Sequence, residues 1–126
     1  MAYEIPGQII GTLNATADLS ALQYTFVQLT TLGGVTGTTI NTQRPIGILQ
    51  NTPTSNQACE IMVSGVSKLI TATTACVPND LVGSTAGGRA VTLTTGSSAW
   101  YAAQVLETAV TTGVMTVLVF PAQRVI

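Results

Sequence analysis

The chain has 126 residues and a mass of 12.9 kDa, one domain's worth, and only 7% of its residues are charged: four Lys and Arg against five Asp and Glu, with no histidine. Four scattered cations cannot form the phosphate-neutralising patch that nucleic-acid binding needs, and no segment approaches the ~20 apolar residues of a membrane-spanning helix. Threonine fills the place of the missing charges, with 22 copies, and an apolar content of 46% is enough to build a core, which argues against disorder.

The first 17 residues carry Tyr3, Ile5, Ile9, Ile10 and Leu13, interrupted by Pro6, Gly7 and Gly11, and those breakers argue against a helix. Glu4 precedes the apolar stretch and no basic residue does, unlike a secretory signal peptide. Residues 1–17 stay open to three readings: an edge strand of the domain's own sheet, an extended arm lying on a neighbouring protein, or a disordered tail. Residues 18–126 read as a single β domain. Asp18-Leu-Ser-Ala-Leu-Gln predicts a short helical turn capped by Asp18.

Beyond it the chain is predicted to be almost entirely β, because Thr, Val and Ile suit a pleated surface and Gly, Pro, Asn and Ser punctuate every ten residues or so. Strands are expected at Tyr24–Thr31, Ile46–Asn51, Cys59–Ser64, Ser67–Thr71, Ala90–Thr94, Trp100–Leu106 and Val114–Phe120. In the third, Cys59, Ile61 and Val63 would face the core while Glu60 and Ser64 face out. In the last, Met115, Val117 and Val119 alternate with Val114, Thr116 and Leu118. Both faces of that strand carry apolar groups, so it is expected to be central or interfacial. The pattern gives an all-β fold, a small β-barrel or β-sandwich with an extended N-terminal arm.

The chain also shows a weak internal likeness. Gly34-Val-Thr-Gly-Thr-Thr39 resembles Ala90-Val-Thr-Leu-Thr-Thr95, and each precedes an apolar strand, a polar residue (Gln50 or Glu107) and a second strand, Cys59–Val63 or Met115–Val119. A duplicated β-unit and chance in a Thr-rich chain both account for it.

Catalytic chemistry finds little to work with. Without histidine the usual general base is missing, and no two of Glu4, Asp18, Glu60, Asp80 and Glu107 lie within ten residues of each other. Asp18 and Asp80 sit where cap and turn roles explain them, and Glu60 and Glu107 occupy matching places in the apparent repeat. Cys59 and Cys76, 17 residues apart, suit two buried reduced thiols better than a metal site, and no cofactor is expected. Trp100-Tyr101 could be a ligand platform of the kind found in carbohydrate binders, though a core or interface pair accounts for it as well. The isolated cations are Arg44, Lys68, Arg89 and Arg124; at least one arginine is expected to fork onto a carboxylate of a partner chain, with Arg89 and Arg124 the more exposed. So few charges, and so few lysines to protect strand edges, suit a protein packed in a symmetric assembly.

Several segments, read in order, resemble the small capsid decoration (cement) proteins of tailed bacteriophages, in particular the DUF2190-type family. They are Asp18-Leu-Ser-Ala-Leu-Gln-Tyr-Thr-Phe-Val27, Arg44-Pro-Ile-Gly-Ile-Leu-Gln-Asn51, Glu60-Ile-Met-Val-Ser-Gly-Val-Ser-Lys68, Asp80-Leu-Val-Gly-Ser-Thr-Ala-Gly-Gly-Arg-Ala-Val91, and the close Gln104-Val-Leu-Glu-Thr108 with Val117-Leu-Val-Phe-Pro121. The likeness spans residues 18–121 and rests on order and spacing; the Pro-broken N-terminal segment and the Thr richness depart from it. It implies a non-enzymatic virion protein, made in the host cytoplasm, that binds the major capsid protein on the outer face of the head as a homotrimer or homodimer. Tyr3, Ile5, Ile9, Ile10, Arg44, Arg89, Trp100 and Arg124 are the expected partner contacts. A fibre or surface-layer subunit and a carbohydrate-binding module are the rival readings.

Overall fold

The computed structural model describes residues 5–72, 76–93, 99–107 and 113–124. The strands among these residues are β1 (Ile5–Asn14), β2 (Phe26–Leu29), β3 (Val35–Gly37), β4 (Gly47–Leu49), β5 (Ala58–Ile70), β6 (Leu81–Ser84), β7 (Ala90–Thr92), β8 (Trp100–Glu107) and β9 (Val114–Arg124), with a 3-10 turn at Ala86–Gly88. All pair antiparallel in one sheet of order β3-β2-β4-β5-β9-β8-β6-β7, and β1 adds to the flank of β5 away from β4. The sheet curls into a half-barrel, so the fold is all-β as the composition requires.

The strands differ from the expected ones in instructive places. Cys59–Ser64 and Ser67–Thr71, expected as two strands, are one continuous strand, β5. Gly65, which reads as a turn residue, has φ of 123°, a conformation that glycine tolerates without Cβ strain. It keeps the chain in the ladder while exchanging the two faces. Before it, Met62 lies in the larger core cluster and Cys59 and Ile61 in the smaller; after it, the odd-numbered Leu69 joins the larger. Glu60 is exposed, and Val63 packs against the smaller cluster, as the alternation predicts.

Residues 5–14, full of apparent breakers, are a strand on the chain's own sheet: Ile9 pairs with Met62, Ile10 with Ile61 and Leu13 with Cys59. The register slips around Gly7 and again between Ile10 and Leu13, so the breakers are absorbed as bulges. Any side chain at Gly7 would run into the Ser64 carbonyl. The short strands β3 and β6 add to those expected from the residue pattern, and β6 lies in the segment Asp80–Val91 that carries part of the resemblance. The segment after Asp18 forms a turn and no helix; the Ser20 N–H donates to Asp18 Oδ1 at 3.0 Å, and the Ser20 hydroxyl first and this N–H second hold that carboxyl below the usual range.

The strand order reads the same from either end: β3-β2-β4-β5 mirrors β7-β6-β8-β9. The registers repeat as well. Val27 pairs with Gly37 and Val82 with Thr92, Phe26 with Ile48 and Leu81 with Gln104, Ile48 with Met62 and Gln104 with Leu118, Asn14 with Ala58 and Ile70 with Val114. Even the isolated parallel bridges match, Ala15 with Val35 and Thr71 with Ala90. Tyr24 and Asn79 share a positive φ and donate to the equivalent carbonyls of Leu49 and Val105, at 2.7 and 2.8 Å. The chain is a duplicated unit, β1–β5 and β5–β9, in which β5 serves both copies.

The sequence likeness is thus structural, but its alignment needs correcting. Val35 matches Ala90, not Val91, and Asn51 matches Glu107. The second unit has one more residue between its two ladders, from Leu93 to Ala103 against Thr38 to Gly47, which slips any ungapped comparison. Glu60 and Glu107 are therefore not counterparts. They belong to opposite sides of the same cross-strand pair, Asn51 with Glu60 in one unit and Glu107 with Thr116 in the other.

The smaller cluster (Ala15, Leu19, Val27, Val35, Leu49, Cys59, Ile61) fills the inner face of the first unit. The larger holds the matching face of the second, Val82, Ala90, Val105, Met115 and Val117, together with Phe26, Ile48 and Met62 from the other face of the first. The buried hydroxyls of Thr38 and Ser84 bond across the two units.

Candidate partner-binding surface

Two exposed regions are built by this arrangement. One lies where the end of β9 meets the start of β8. Trp100 opens β8 opposite Arg124, and its backbone N–H donates to the Asn41 carbonyl at 2.9 Å. That bond draws the loop before β4 onto the indole, and the Arg44 guanidinium lies 5.2 Å from the ring centroid. A cation–π contact at an exposed site contributes about 0.5–1 kcal/mol. Beside it runs a groove of about 490 Å³ lined by Leu29, Arg44, Pro45, Ile46, Val63 and Pro121. Tyr101, next along, donates its hydroxyl to Gln123 Oε1 at 2.8 Å and packs edge-on against Phe120, the centroids 5.8 Å apart.

Of the expected partner contacts, the fold gathers Arg44, Trp100 and Arg124 at this one place; both arginines are exposed and Trp100 is half-buried. Ile9 and Ile10 lie on β1, the first exposed and the second half-buried, as successive strand residues on opposite faces. Arg89 is exposed just after the 3-10 turn, which is seated against the carbonyl of Phe26 at Gly88. Ile5 starts β1 opposite Val66, while its side chain and all of Tyr3 lie outside the described residues. With Arg44 over the Trp100 ring, the Trp100-Tyr101 pair forms an arginine-capped corner.

The second region is the outer face of the sheet around β9. Val66 lies opposite Leu118, Leu118 opposite Gln104, and Gln104 opposite Leu81, one row across four strands; Val114 follows along β9. Leu81, Val114 and Leu118 are 37%, 43% and 38% exposed, and Leu106 at the β8 bulge is exposed too. None of these four was singled out as a contact. The signal was present in the alternation along Val114–Phe120, which puts apolar groups on both faces of one strand.

Among the described residues no group of three or more His, Cys, Asp or Glu side chains could hold a metal ion. Asp80 Oδ2 accepts from the Val77 N–H and the Thr92 hydroxyl, pinning a turn. Cys59 and Cys76 are buried and form no disulfide; burial pushes the Cys59 thiol up, and Cys76 Sγ lies 3.4 Å from Thr92 Oγ1, within hydrogen-bond reach. Among the described residues no helix is long and apolar enough to cross a membrane. No family model matches the chain, and no curated protein matches it.

Proposed function

We propose that the chain is a non-enzymatic capsid decoration protein that binds the outer surface of a phage head as a homo-oligomer and reinforces contacts between neighbouring capsomers of the major capsid protein. The observation that carries this reading is the row Val66–Leu118–Gln104–Leu81, with Leu118 and Leu81 exposed on either side of the half-buried Gln104, on a chain with so few charges. Exposed apolar side chains grouped on one sheet face mark an interaction site, and a closed set of neighbours covers them. The ordered resemblance of residues 18–121 to the cement proteins supplies the kind of assembly. Weak contacts from each copy suffice on a shell, because a multivalent oligomer applies the second and third at high effective concentration.

The corner of Arg44, Trp100 and Arg124 is the shell-facing contact in this reading, since arginine and tryptophan are the residues on which interface energy concentrates. Co-sedimentation of the purified chain with undecorated heads, followed by a heat challenge, tests it. Saturable binding should raise the disruption temperature of the heads, and replacing Arg44 and Trp100 together by Ala should weaken binding by about 30-fold. A chain that fails to sediment with either expanded or unexpanded heads refutes the proposal. Self-assembly of the pure chain into filaments would favour a fibre subunit instead.

A further inference from the structure

We infer that the outer face of β5, β9 and β8 is the docking site for a second copy of this chain, the two β9 strands lying on one another about a two-fold axis that runs along the strand. The inference rests on the homo-oligomer part of the proposed function and needs no shell.

The duplication shows what such a face requires. In the first unit the row Phe26–Ile48–Met62 is fully buried, covered by the inner face of the second unit. Its counterparts in the second unit are Leu81, Gln104 and Leu118, the row left open. The chain therefore makes this face twice and covers it once. The inner faces of both units are already filled, with Val27, Leu49, Ile61, Val82, Val105 and Val117 no more than 1% exposed. A second copy offers the same outer face, which matches this one in its apolar groups Val66, Leu118 and Leu81.

The charges choose the axis. Lys68 on β5 and Glu107 on β8 both stand opposite Thr116 on β9, so one cross-strand row carries a cation on one side of β9 and a carboxylate on the other. A half-turn about β9 lays β5 of one copy over β8 of the next. Lys68 then meets Glu107 of the partner subunit, twice over, while Leu118 and Val114 each meet their own equivalents near the axis. That reciprocity, residue i on j and j on i, defines an isologous contact. Opposite charges so arranged favour this orientation and disfavour its alternatives. Lys68 is positioned at the margin of the row, its Nζ 5.3 Å from the centre of the Tyr24 ring, and Glu107 accepts from the Thr116 hydroxyl at 3.2 Å. This geometry selects the dimer over the trimer.

Sedimentation velocity of the full chain, without heads, tests the inference. The wild-type chain should associate in even numbers. Leu118→Arg, at a position open enough to accept the longer side chain, should weaken association by about a hundredfold or more with an unchanged far-UV spectrum. Lys68→Glu and Glu107→Lys should each weaken it by about tenfold, and the double exchange should recover it to within about threefold. A monomer at every concentration, an odd-numbered oligomer, a dimer indifferent to Leu118→Arg, or a charge exchange without recovery overturns it. A dimer that ignores phage heads leaves this inference standing and removes the shell reading, whereas a chain that binds heads as a monomer does the reverse.

Discussion

The two units of the duplication share strand order, pairing register and turn hydrogen bonds, yet they bury their sheets differently. The outer row of the first is buried from Phe26 through Met62 and opens at Ile9 on β1, whereas that of the second is exposed at Leu81 and Leu118. The backbone plan survives wide differences in side-chain chemistry. At the turn into β2 the Thr25 hydroxyl donates to the Leu22 carbonyl at 2.7 Å, while at the matching turn into β6 the Asp80 carboxylate accepts from the Val77 N–H at 3.0 Å. Donor and acceptor have changed places around the same loop. What does respond to sequence is the fate of the outer row. Ile48 in the middle of the first row is fully buried, and Gln104 at its counterpart stays half-buried with its side-chain amide bonded to Asn79 Oδ1 at 2.6 Å. Local ladders and turns set the topology, and the outward side chains decide whether a face needs a neighbour.

The sharpest way to break this comparison is to truncate matched positions. Met62→Ala should cost about 2–4 kcal/mol of unfolding free energy, because it empties a fully packed site. Leu118→Ala, its counterpart, should cost less than about 1 kcal/mol in the isolated chain, where water already reaches the side chain. Denaturant unfolding at high dilution measures both; equal losses would mean that the second face is covered after all. A smaller contrast lies in the glycines that follow β2 and β6. Gly33 and Gly88 occupy matching turns with φ of 93° and 72°. Gly33→Ala meets open space and should cost only the conformational penalty, about 1 kcal/mol. Gly88→Ala would also press on the Phe26 carbonyl, so its loss should reach roughly 2–3 kcal/mol. The same melting curves read both, and a Gly33→Ala loss at least as large would show that the turns are not seated differently.

Much of this was legible in the sequence where a short-range rule governs. The β class followed from Thr, Val and Ile between turn residues, and the alternation along Val114–Phe120 placed Met115, Val117 and Val119 inside. Glycine and proline misled wherever a bulge, not a turn, absorbed them. Gly65 separates two expected strands and proves to be the point where the single strand β5 exchanges faces, while Pro6, Gly7 and Gly11, compatible with an edge strand, an arm or a disordered tail, prove to lie in the edge strand β1. The internal repeat was visible but slipped, because one residue inserted between ladders breaks an ungapped match while leaving every register intact. The corner of Arg44, Trp100 and Arg124 could be named residue by residue but not assembled. Its members meet through the β8–β9 ladder and one loop carbonyl, that of Asn41, and no local pattern encodes either.

The faintest contrast between the units is carried by a sulfur. Cys59 on β5 stands where the second unit has Met115 on β9, both fully packed in the inner cores. Only the thiol can ionise, and burial raises its pKa above the ordinary 9.0. A group whose folded pKa is raised favours the native state fully below its unfolded value, and that contribution is lost as pH climbs through the folded one. The wild-type chain should therefore lose stability above about pH 9 relative to a Cys59→Val variant, which keeps the volume and removes the proton. The slope can be no steeper than about 1.4 kcal/mol per pH unit for one group. Denaturant midpoints of both chains between neutral pH and pH 11 measure the difference. Parallel curves would mean that the first unit opens readily enough to solvate its inner face, and the contrast between the buried outer row of one unit and the exposed row of the other would then be lost.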